Sequence, residues 1–299
     1  MTKRIAVYGL GSMGYGIAQS LLRAGHTVAG FDINQAAVDA FQAEGGVADA
    51  PADFLPTADI VVVVVLNADQ TRAVMLGEGG IAQSVVPGSC IISCATVPPS
   101  FAREMEAAAR AKGLHYLDAP ISGGAAKSAL GQLSVMAAGT PEAFATARPA
   151  LDGMAETVFE LGSEAGPGSA MKAVNQLLAG VHIATMAEAV TFGMTQGVSP
   201  EQTLNVIRQC AGSSWMFENR APHIVDADYT PRSAVNIWPK DLGIVLDIAG
   251  ASDFEAPITK AALERFNEAA RQGLGHEDDA AVAKVYARQA GLKLPGEAE

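Results

Sequence analysis

The stretch Arg4-Ile5-Ala6-Val7-Tyr8-Gly9-Leu10-Gly11-Ser12-Met13-Gly14 decides the fold. It opens as a short apolar run that ends at glycine, the pattern of a parallel β-strand buried on both faces. Residues 15–24 then have helical composition and stop at Gly25, and a second strand-like run, 27–31, ends on Asp32. The chain thus passes through a strand, a glycine turn, a helix and a second strand that ends on an acid. This order is the complete local pattern expected around a dinucleotide-binding loop.

Each glycine of the loop has a separate predicted task. Gly9 permits the tight turn, Gly11 lets the backbone approach a pyrophosphate, and Gly14 lets the helix pack close to the strand. The helix N-terminus would face the phosphates with unpaired N–H groups. The predicted cofactor contacts of this loop are Gly9, Leu10, Gly11, Ser12, Met13 and Gly14. A plain turn between strand and helix is the alternative.

Asp32 can accept hydrogen bonds from the adenosine ribose hydroxyls and would repel a 2′-phosphate. No arginine follows it in residues 33–35, so the sequence favours NAD over NADP. The alternative for Asp32 is a cap on the helix that starts near Gln35.

Two further predicted strands end at residues that could contact the cofactor. Residues 59–66 are predicted as a strand in which 60–66 form an unbroken apolar row, and Leu66 and Asn67 at its carboxyl end are candidates to line the adenosine or its ribose. Residues 89–93 form a shorter strand, after which Thr96 is placed within reach of the nicotinamide. A helix-capping role is the alternative for Thr96.

After a strand at residues 115–118 comes Ser122-Gly123-Gly124, which has the form of an anion cradle. Its backbone N–H groups and serine hydroxyl could hold a substrate carboxylate, whereas a flexible turn is the alternative. Residues 132–138, 141–154 and 157–160 are predicted as strand, helix and strand that close the same sheet.

Gly166-Pro167-Gly168 is predicted to be a non-helical loop that precedes a long apolar helix, from Ser169 to about Met194. Lys172 and Asn175 lie three residues apart, on one face of this helix. A lysine is rarely buried without a partner or a function. We hypothesise that the helix joins two domains and that Lys172 points into the cleft between them. The alternative is an exposed lysine whose stem covers apolar surface.

At 299 residues the chain suits two domains, predicted as 1–163 and 164–299. The second is predicted to be all-α, with helices over residues 200–210, 239–250, 258–273 and 278–290. Trp215 and Phe217 are interpreted as core or subunit contacts, and Arg220 and Arg232 as ion-pair residues or carboxylate ligands. Lys240, by itself, would be a solvated helix residue.

The formal net charge of −12 argues against nucleic acid and against an anionic membrane surface as partners. The longest apolar run, residues 60–66, is too short to span a bilayer. The cysteines at 90, 94 and 210 show no metal-ligand spacing and no disulfide framework, so we expect reduced thiols, a cytoplasmic location and no bound metal.

Four motifs in this order resemble the β-hydroxyacid dehydrogenase family, which includes 3-hydroxyisobutyrate and tartronate semialdehyde enzymes and is related to 6-phosphogluconate dehydrogenase. The motifs are the loop at 9–14, Asp118-Ala119-Pro120-Ile121-Ser122-Gly123-Gly124, Gly166-Pro167-Gly168 through Lys172 and Asn175, and Lys240-Asp241-Leu242. Three departures occur: Gln176 follows Asn175 where the family often has a second asparagine, Ala95 precedes Thr96 where it often has serine, and Pro239 precedes Lys240.

The resemblance implies a Rossmann doubly wound domain, a long connecting helix, and an all-α domain that forms a homodimer or homotetramer. It implies Lys172 as the catalytic lysine and Asn175 as a substrate-orienting amide. It places Ser122, Gly123 and Gly124 on the substrate carboxylate, and Thr96 and Lys240 at the nicotinamide end of NAD. The expected reaction is oxidation of the 2-hydroxyl of a small sugar acid, with L-threonate first. The alternatives are 3-hydroxyisobutyrate oxidation, tartronate semialdehyde reduction, or a non-catalytic dinucleotide-binding protein.

Overall fold

The structure is a computed structural model that describes residues 2–297, and its chain divides into two compact units. The first unit ends at Lys172 and the second begins at Ala173, so the division falls within one continuous helix. This is later in the chain than the predicted boundary between residues 163 and 164.

The first unit is built on a five-stranded parallel sheet in the order β2-β1-β3-β4-β5. Its strands are β1 Arg4–Tyr8, β2 Thr27–Phe31, β3 Ile60–Val63, β4 Cys90–Ser93 and β5 His115–Asp118. Beyond β2, a single parallel bridge joins Ala29 to Val47. This bridge occupies the place of a third strand in the dinucleotide-binding strand order, shortened here to one residue. The predicted Rossmann domain is confirmed.

Successive residues of the strands pack into two different apolar clusters, one for each face of the sheet. Ile60 and Val62 belong to one cluster, and Val61 and Val63 belong to the other. All four are fully buried, which explains why this strand has no polar alternation. Burial of each such side chain contributes about 1.5–3 kcal/mol to folding.

Most helices of the first unit cover this sheet, on both of its faces. The helices of this unit are α1 Gly14–Arg23, α2 Gln35–Ala43, α3 Pro51–Phe54, α4 Ala68–Leu76, α5 Ile81–Ser84, α6 Pro99–Arg110, α7 Gly124–Leu130 and α8 Pro141–Met154. A short 3₁₀ turn, Leu55–Thr57, follows α3.

The prediction that residues 132–138 and 157–160 close the same sheet is wrong. They form β7 Leu133–Ala137 and β8 Ala155–Glu160, which join the two-residue strand β6 Ile121–Ser122 in a separate sheet of order β6-β7-β8. β7 pairs antiparallel with β6, so it does not extend the parallel sheet. Most side chains of β8 are exposed or half-buried, which suits an edge strand and not a strand covered on both faces.

The long helix α9 spans Pro167–Thr195 and begins two residues earlier than predicted. Proline is tolerated in a first helical turn, where its missing N–H would have no helical partner. Close packing explains why residue 168 is a glycine, because an added Cβ would lie 2.5 Å from the carbonyl oxygens of Asp118 and Met136. Among residues 2–297, α9 is the one helix whose length and composition would also suit a membrane span, a test that core helices also pass.

In the second unit every regular element described after α9 is helical, which confirms the predicted all-α class. The helices are α10 Pro200–Ile207, α11 Trp215–Val225, α12 Ile237–Ala251, α13 Pro257–Ala269 and α14 Val282–Ala290. A π turn, Ala270–Leu274, extends α13, and a 3₁₀ turn, Asp279–Ala281, precedes α14. The core includes Phe217 and the indole of Trp238 stacked on Phe266, with ring centroids 5.6 Å apart.

Three details of this unit differ from prediction. α11 was not predicted, although Ser214 caps it by accepting a hydrogen bond from the backbone N–H of Phe217. α12 starts at Ile237, so Pro239 is not its first residue. The helix predicted over 278–290 is a 3₁₀ turn followed by the shorter α14.

Candidate cofactor and substrate sites

The glycine loop after β1 has the tight geometry that the sequence predicts. Gly9 has a φ of +94°, which favours glycine, and its backbone N–H donates to Phe31 at 2.8 Å. A Cβ on Gly14 would lie 1.8 Å from the carbonyl oxygen of Gly9, so no larger residue fits at the start of α1. A plain turn between strand and helix, the alternative for this loop, would not by itself require Gly14 to lie so close to the Gly9 carbonyl.

The same loop has room and donors for a diphosphate. An added Cβ on Gly11 would meet no described atom within 4 Å, and both Gly11 and Ser12 are exposed. Met13 occupies the N-cap of α1, and its side chain makes no capping hydrogen bond to the described residues. Leu10 differs from its neighbours because its side chain is buried in the core. The residues present therefore fit an anionic cofactor at the start of α1.

Asp32 connects the end of β2 to the glycine loop. Its Oδ2 accepts a 2.6 Å hydrogen bond from the backbone N–H of Leu10, and its Oδ1 accepts a 2.7 Å bond from Asn34. The cap of α2 is Asn34, whose side chain accepts from Ala36, so the capping alternative for Asp32 is wrong. A carboxylate has about four acceptor positions, and two remain for ligand hydroxyls.

Next to Asp32, Ile33 is fully exposed, and sequence reasoning did not identify it. The sequence feature that could have identified Ile33 is an isolated apolar residue between two polar ones at the end of a strand. Leu66 is 59% exposed beyond β3. Asn67 caps α4 by accepting a 2.9 Å bond from Gln70, so part of its amide has a structural task.

Thr96 lies between β4 and α6 and is half-buried. The N-cap of α6 is Pro98, so the capping alternative for Thr96 is wrong. Ser122 ends β6, and Gly123, with a φ of +136°, precedes Gly124 at the start of α7.

Lys172 lies in the second turn of α9, and 9% of its surface is exposed. Its Nζ donates a 2.9 Å hydrogen bond to the backbone carbonyl of Ile121, the residue immediately before Ser122. The structure therefore brings the predicted catalytic lysine to the predicted carboxylate cradle. The alternative of an exposed lysine is wrong.

Asp118, at the end of β5, anchors the start of α9, and the sequence did not reveal this role. One carboxylate oxygen accepts backbone hydrogen bonds from Gly166 at 2.9 Å and Ser169 at 2.8 Å, and the other accepts the Ser169 hydroxyl at 2.6 Å. Burial raises the pKa of Asp118, while these hydrogen bonds act in the opposite direction. The signal in the sequence was an acid at a strand end, ahead of a helix that starts without its own capping side chain.

In the second unit, hydrogen bonds join three side chains in a row, and an ion pair extends the row to Lys240. Asn175 donates from Nδ2 to Gln176 Oε1 at 2.9 Å, and Gln176 donates from Nε2 to Asp241 Oδ2 at 2.5 Å. The ammonium of Lys240 lies 2.5 Å from Asp241 Oδ1. Lys240 is thus paired and only partly exposed, and is not the solvated residue that α12 would suggest by itself.

The other polar candidates of this unit are structural. The guanidinium of Arg220 is buried and donates to Asp279 at 2.6 Å, while Arg232 pairs with Asp228 at 3.2 Å. Phe217 is buried in the core, whereas Trp215 is 65% exposed.

A family model described as the NAD binding domain of 6-phosphogluconate dehydrogenase matches residues 4–162. A second, described as NAD-binding of NADP-dependent 3-hydroxyisobutyrate dehydrogenase, matches residues 166–286. The chain belongs to the 3-hydroxyisobutyrate dehydrogenase-like family. As a member, it is a hydroxyacid dehydrogenase that uses a nicotinamide dinucleotide, and the predicted family, enzyme class and cofactor class are confirmed.

Similar members of this dehydrogenase family extend over the whole chain. An L-threonate dehydrogenase of Cupriavidus necator is 48% identical over 100% of both chains. One of Escherichia coli is 44% identical and covers 98% of this chain and 96% of its own. A crystal structure of 3-hydroxyisobutyrate dehydrogenase from Salmonella typhimurium has a TM-score of 0.88 and 44% identity, covering 95% of this chain and 99% of its own.

Proposed function

We propose that this dehydrogenase oxidises the 2-hydroxyl of L-threonate to the 2-oxo acid, with NAD as acceptor. Full-length similarity to L-threonate dehydrogenases at 42–48% identity supports the substrate. The observation that carries the mechanism is the hydrogen bond from Lys172 to the backbone beside Ser122.

The cofactor would be held by the backbone of residues 9–14 and by the side chain of Asp32. The carboxylate of Asp32 repels a 2′-phosphate, which favours NAD over NADP. Ile33 would offer an exposed apolar face to the adenine, and Leu66 and Asn67 would line the adenosine. Thr96 and Lys240 would hold the nicotinamide end. When bound, NAD supplies the hydride acceptor.

The substrate carboxylate would bind the backbone N–H groups of Gly123 and Gly124 and the hydroxyl of Ser122, which fixes the orientation of the substrate. Asn175 accepts a hydrogen bond from a substrate hydroxyl. The amine of Lys172, held by the Ile121 carbonyl, takes the proton of the reacting hydroxyl as the carbon is oxidised. In the reverse direction the ammonium returns this proton to the forming alkoxide.

The test is a panel of L-threonate, D-glycerate and 3-hydroxyisobutyrate with NAD and with NADP, followed by absorbance of the reduced nicotinamide. We expect the highest kcat/KM for L-threonate with NAD. A preference for 3-hydroxyisobutyrate, the substrate in the name of the Salmonella relative, would overturn the proposal. Rapid reduction of tartronate semialdehyde in place of threonate oxidation would also overturn it. NAD binding without turnover would identify a non-catalytic dinucleotide-binding protein.

We further propose that the protein is cytoplasmic and forms a homodimer or homotetramer, with domains 1–163 and 164–299. We also propose that it binds neither nucleic acid nor a membrane, and the net charge of −12 supports this absence of anionic partners. In the second unit, large apolar side chains more than half exposed support association with a second copy. They include Phe192, Val206, Trp215, Phe254 and Ile258. Light scattering coupled to size-exclusion chromatography measures the mass, and a monomer would contradict the proposal.

A further inference from the structure

Gln176 uses both ends of its amide in the row that links Asn175 to Lys240. Its side chain is buried, with 7% of the residue exposed. The Nε2 group donates to Asp241 at 2.5 Å, and Oε1 accepts from Asn175 at 2.9 Å. A shorter asparagine at this position would have one methylene less with which to reach α12.

The chemistry of Asp241 sets the direction of every hydrogen bond in this row. A carboxylate accepts hydrogen bonds and donates none, so Gln176 must present Nε2 to Asp241. The carbonyl oxygen of Gln176 is then the only end left for Asn175, which must present Nδ2 to it. This leaves Oδ1 of Asn175, an acceptor, as the part of its amide that does not bind Gln176.

We propose that Gln176 is a positioning residue that, through Asp241, fixes the amide of Asn175 with its carbonyl oxygen available to a substrate hydroxyl. The inference rests on the proposed function, because it takes Asn175 as the residue that binds this hydroxyl. Hydroxyl groups donate to such an oxygen, so the row selects substrates that present an O–H donor there.

The same row connects to Lys240. Asp241 binds Gln176 with one oxygen and the ammonium of Lys240 with the other, and its side chain is 4% exposed. Loss of the Gln176 donor would leave a buried carboxylate oxygen without that partner, which is costly. Asp241 would then be free to shift, and both Asn175 and Lys240 would lose their fixed positions.

The test compares Gln176→Leu and Gln176→Glu with the parent on the hydroxyacid of the panel that the parent oxidises fastest. Loss of a hydrogen bond to a charged group corresponds to about a 10- to 100-fold change. We expect Gln176→Leu to lose about this factor in kcat/KM for the hydroxyacid at every pH. The KM for NAD should change less than kcat/KM for the hydroxyacid, because the glycine loop and Asp32 are unchanged and only the contact of Lys240 is affected.

Gln176→Glu gives the decisive readout. As a carboxylate, Glu cannot donate to Asp241, and the two negative charges repel beside the single charge of Lys240. As a carboxylic acid, Glu can donate to Asp241 and accept from Asn175. Proximity of two carboxylates raises the pKa of one of them. The activity of Gln176→Glu relative to the parent should therefore recover as the pH falls from about 8 to about 5.5.

The matched control is Gln209→Leu, because Gln209 is exposed and, among residues 2–297, its amide donates to the backbone carbonyl of Asn205 in α10. It should match the parent. Parent-like kcat/KM in Gln176→Leu, or no pH recovery in Gln176→Glu, would overturn the inference. Thermal unfolding of both variants across the same pH range needs no substrate, and only Gln176→Glu should regain stability in acid. If the parent oxidises no hydroxyacid, the proposed function fails. The unfolding measurements would still decide whether Gln176 is hydrogen-bonded to Asp241.

Discussion

The amine of Lys172 donates a 2.9 Å hydrogen bond to the backbone carbonyl of Ile121, directly before Ser122. The two residues lie 51 positions apart in the chain. Asp118 makes this contact possible, because it holds the start of α9 against the strand that precedes the 121–124 segment. The lysine and the carboxylate cradle are therefore fixed relative to each other by the fold of one unit.

We expect Lys172→Ala to lose almost all turnover, by about 100- to 10,000-fold in kcat, because the general base is removed. NAD binding, measured by titration calorimetry, should persist since the glycine loop is intact. Lys112→Ala, at an exposed position of the same unit, serves as the control and should match the parent. Turnover of Lys172→Ala within tenfold of the parent would refute the catalytic role.

Local patterns in the sequence predict much of the first unit. The strand, glycine turn and Asp32 were found because each depends on residues close together in the chain. The partners of Lys172 and Gln176 could not be found this way, because Ile121 and Asp241 lie 51 and 65 positions away. Helix α11 was missed because Pro222 and its aromatic residues obscure the helical pattern.

Asp118→Asn should destabilise the protein by about 1–3 kcal/mol, because an amide cannot accept all the hydrogen bonds from Gly166 and Ser169. Ser169→Ala removes one of these bonds and should cost about 1 kcal/mol. Denaturant unfolding measures both values. A cost for Asp118→Asn no larger than for Ser169→Ala would contradict the anchoring role.

The pH dependence of this anchor has a defined sign. Because the pKa of Asp118 is raised in the folded state, its contribution to stability is fully present below its unfolded pKa, about 4. The contribution decreases as the pH rises through the folded pKa. The stability difference between the parent and Asp118→Asn should therefore be largest in acid and smaller near neutral pH. A difference that grows with pH would contradict the raised pKa.

Gly168→Ala should destabilise the protein by more than 1 kcal/mol, because its Cβ would meet two backbone oxygens at 2.5 Å. Gly243 in α12 is the matched control, since a Cβ there meets no described atom within 4 Å. Gly243→Ala should stabilise by about 0.5–1 kcal/mol through helix propensity. Thermal and denaturant unfolding compare the two variants. Equal changes in the free energy of unfolding for the two variants would show that Gly168 does not lie close to the carbonyl oxygens of Asp118 and Met136.

The three thiols should differ in reactivity. Cys90 and Cys94 are buried, and burial raises the pKa of Cys94 to about 12 and that of Cys90 above its ordinary value. Cys210 is exposed. The folded protein should therefore release about one equivalent of thiolate from the reagent DTNB, and the unfolded protein three. Cys210→Ser should abolish the fast reaction. Rapid modification of that variant would contradict the burial of the other two.

Cofactor preference should follow Asp32 and Ile33. In Asp32→Ser, the charged acceptor for ribose hydroxyls is lost, and kcat/KM for NAD should fall about 10- to 100-fold. Adding Ile33→Arg places a guanidinium at a fully exposed position where it can bind a 2′-phosphate, so NADP use should rise. Ile33→Arg alone is the control, because it retains the repulsive carboxylate. Asp32 also holds the backbone of Leu10 and Asn34, so thermal unfolding must show that the double variant stays folded. A double variant that keeps the parent's ratio of kcat/KM for NAD and NADP would contradict the role of Asp32 in selecting the cofactor.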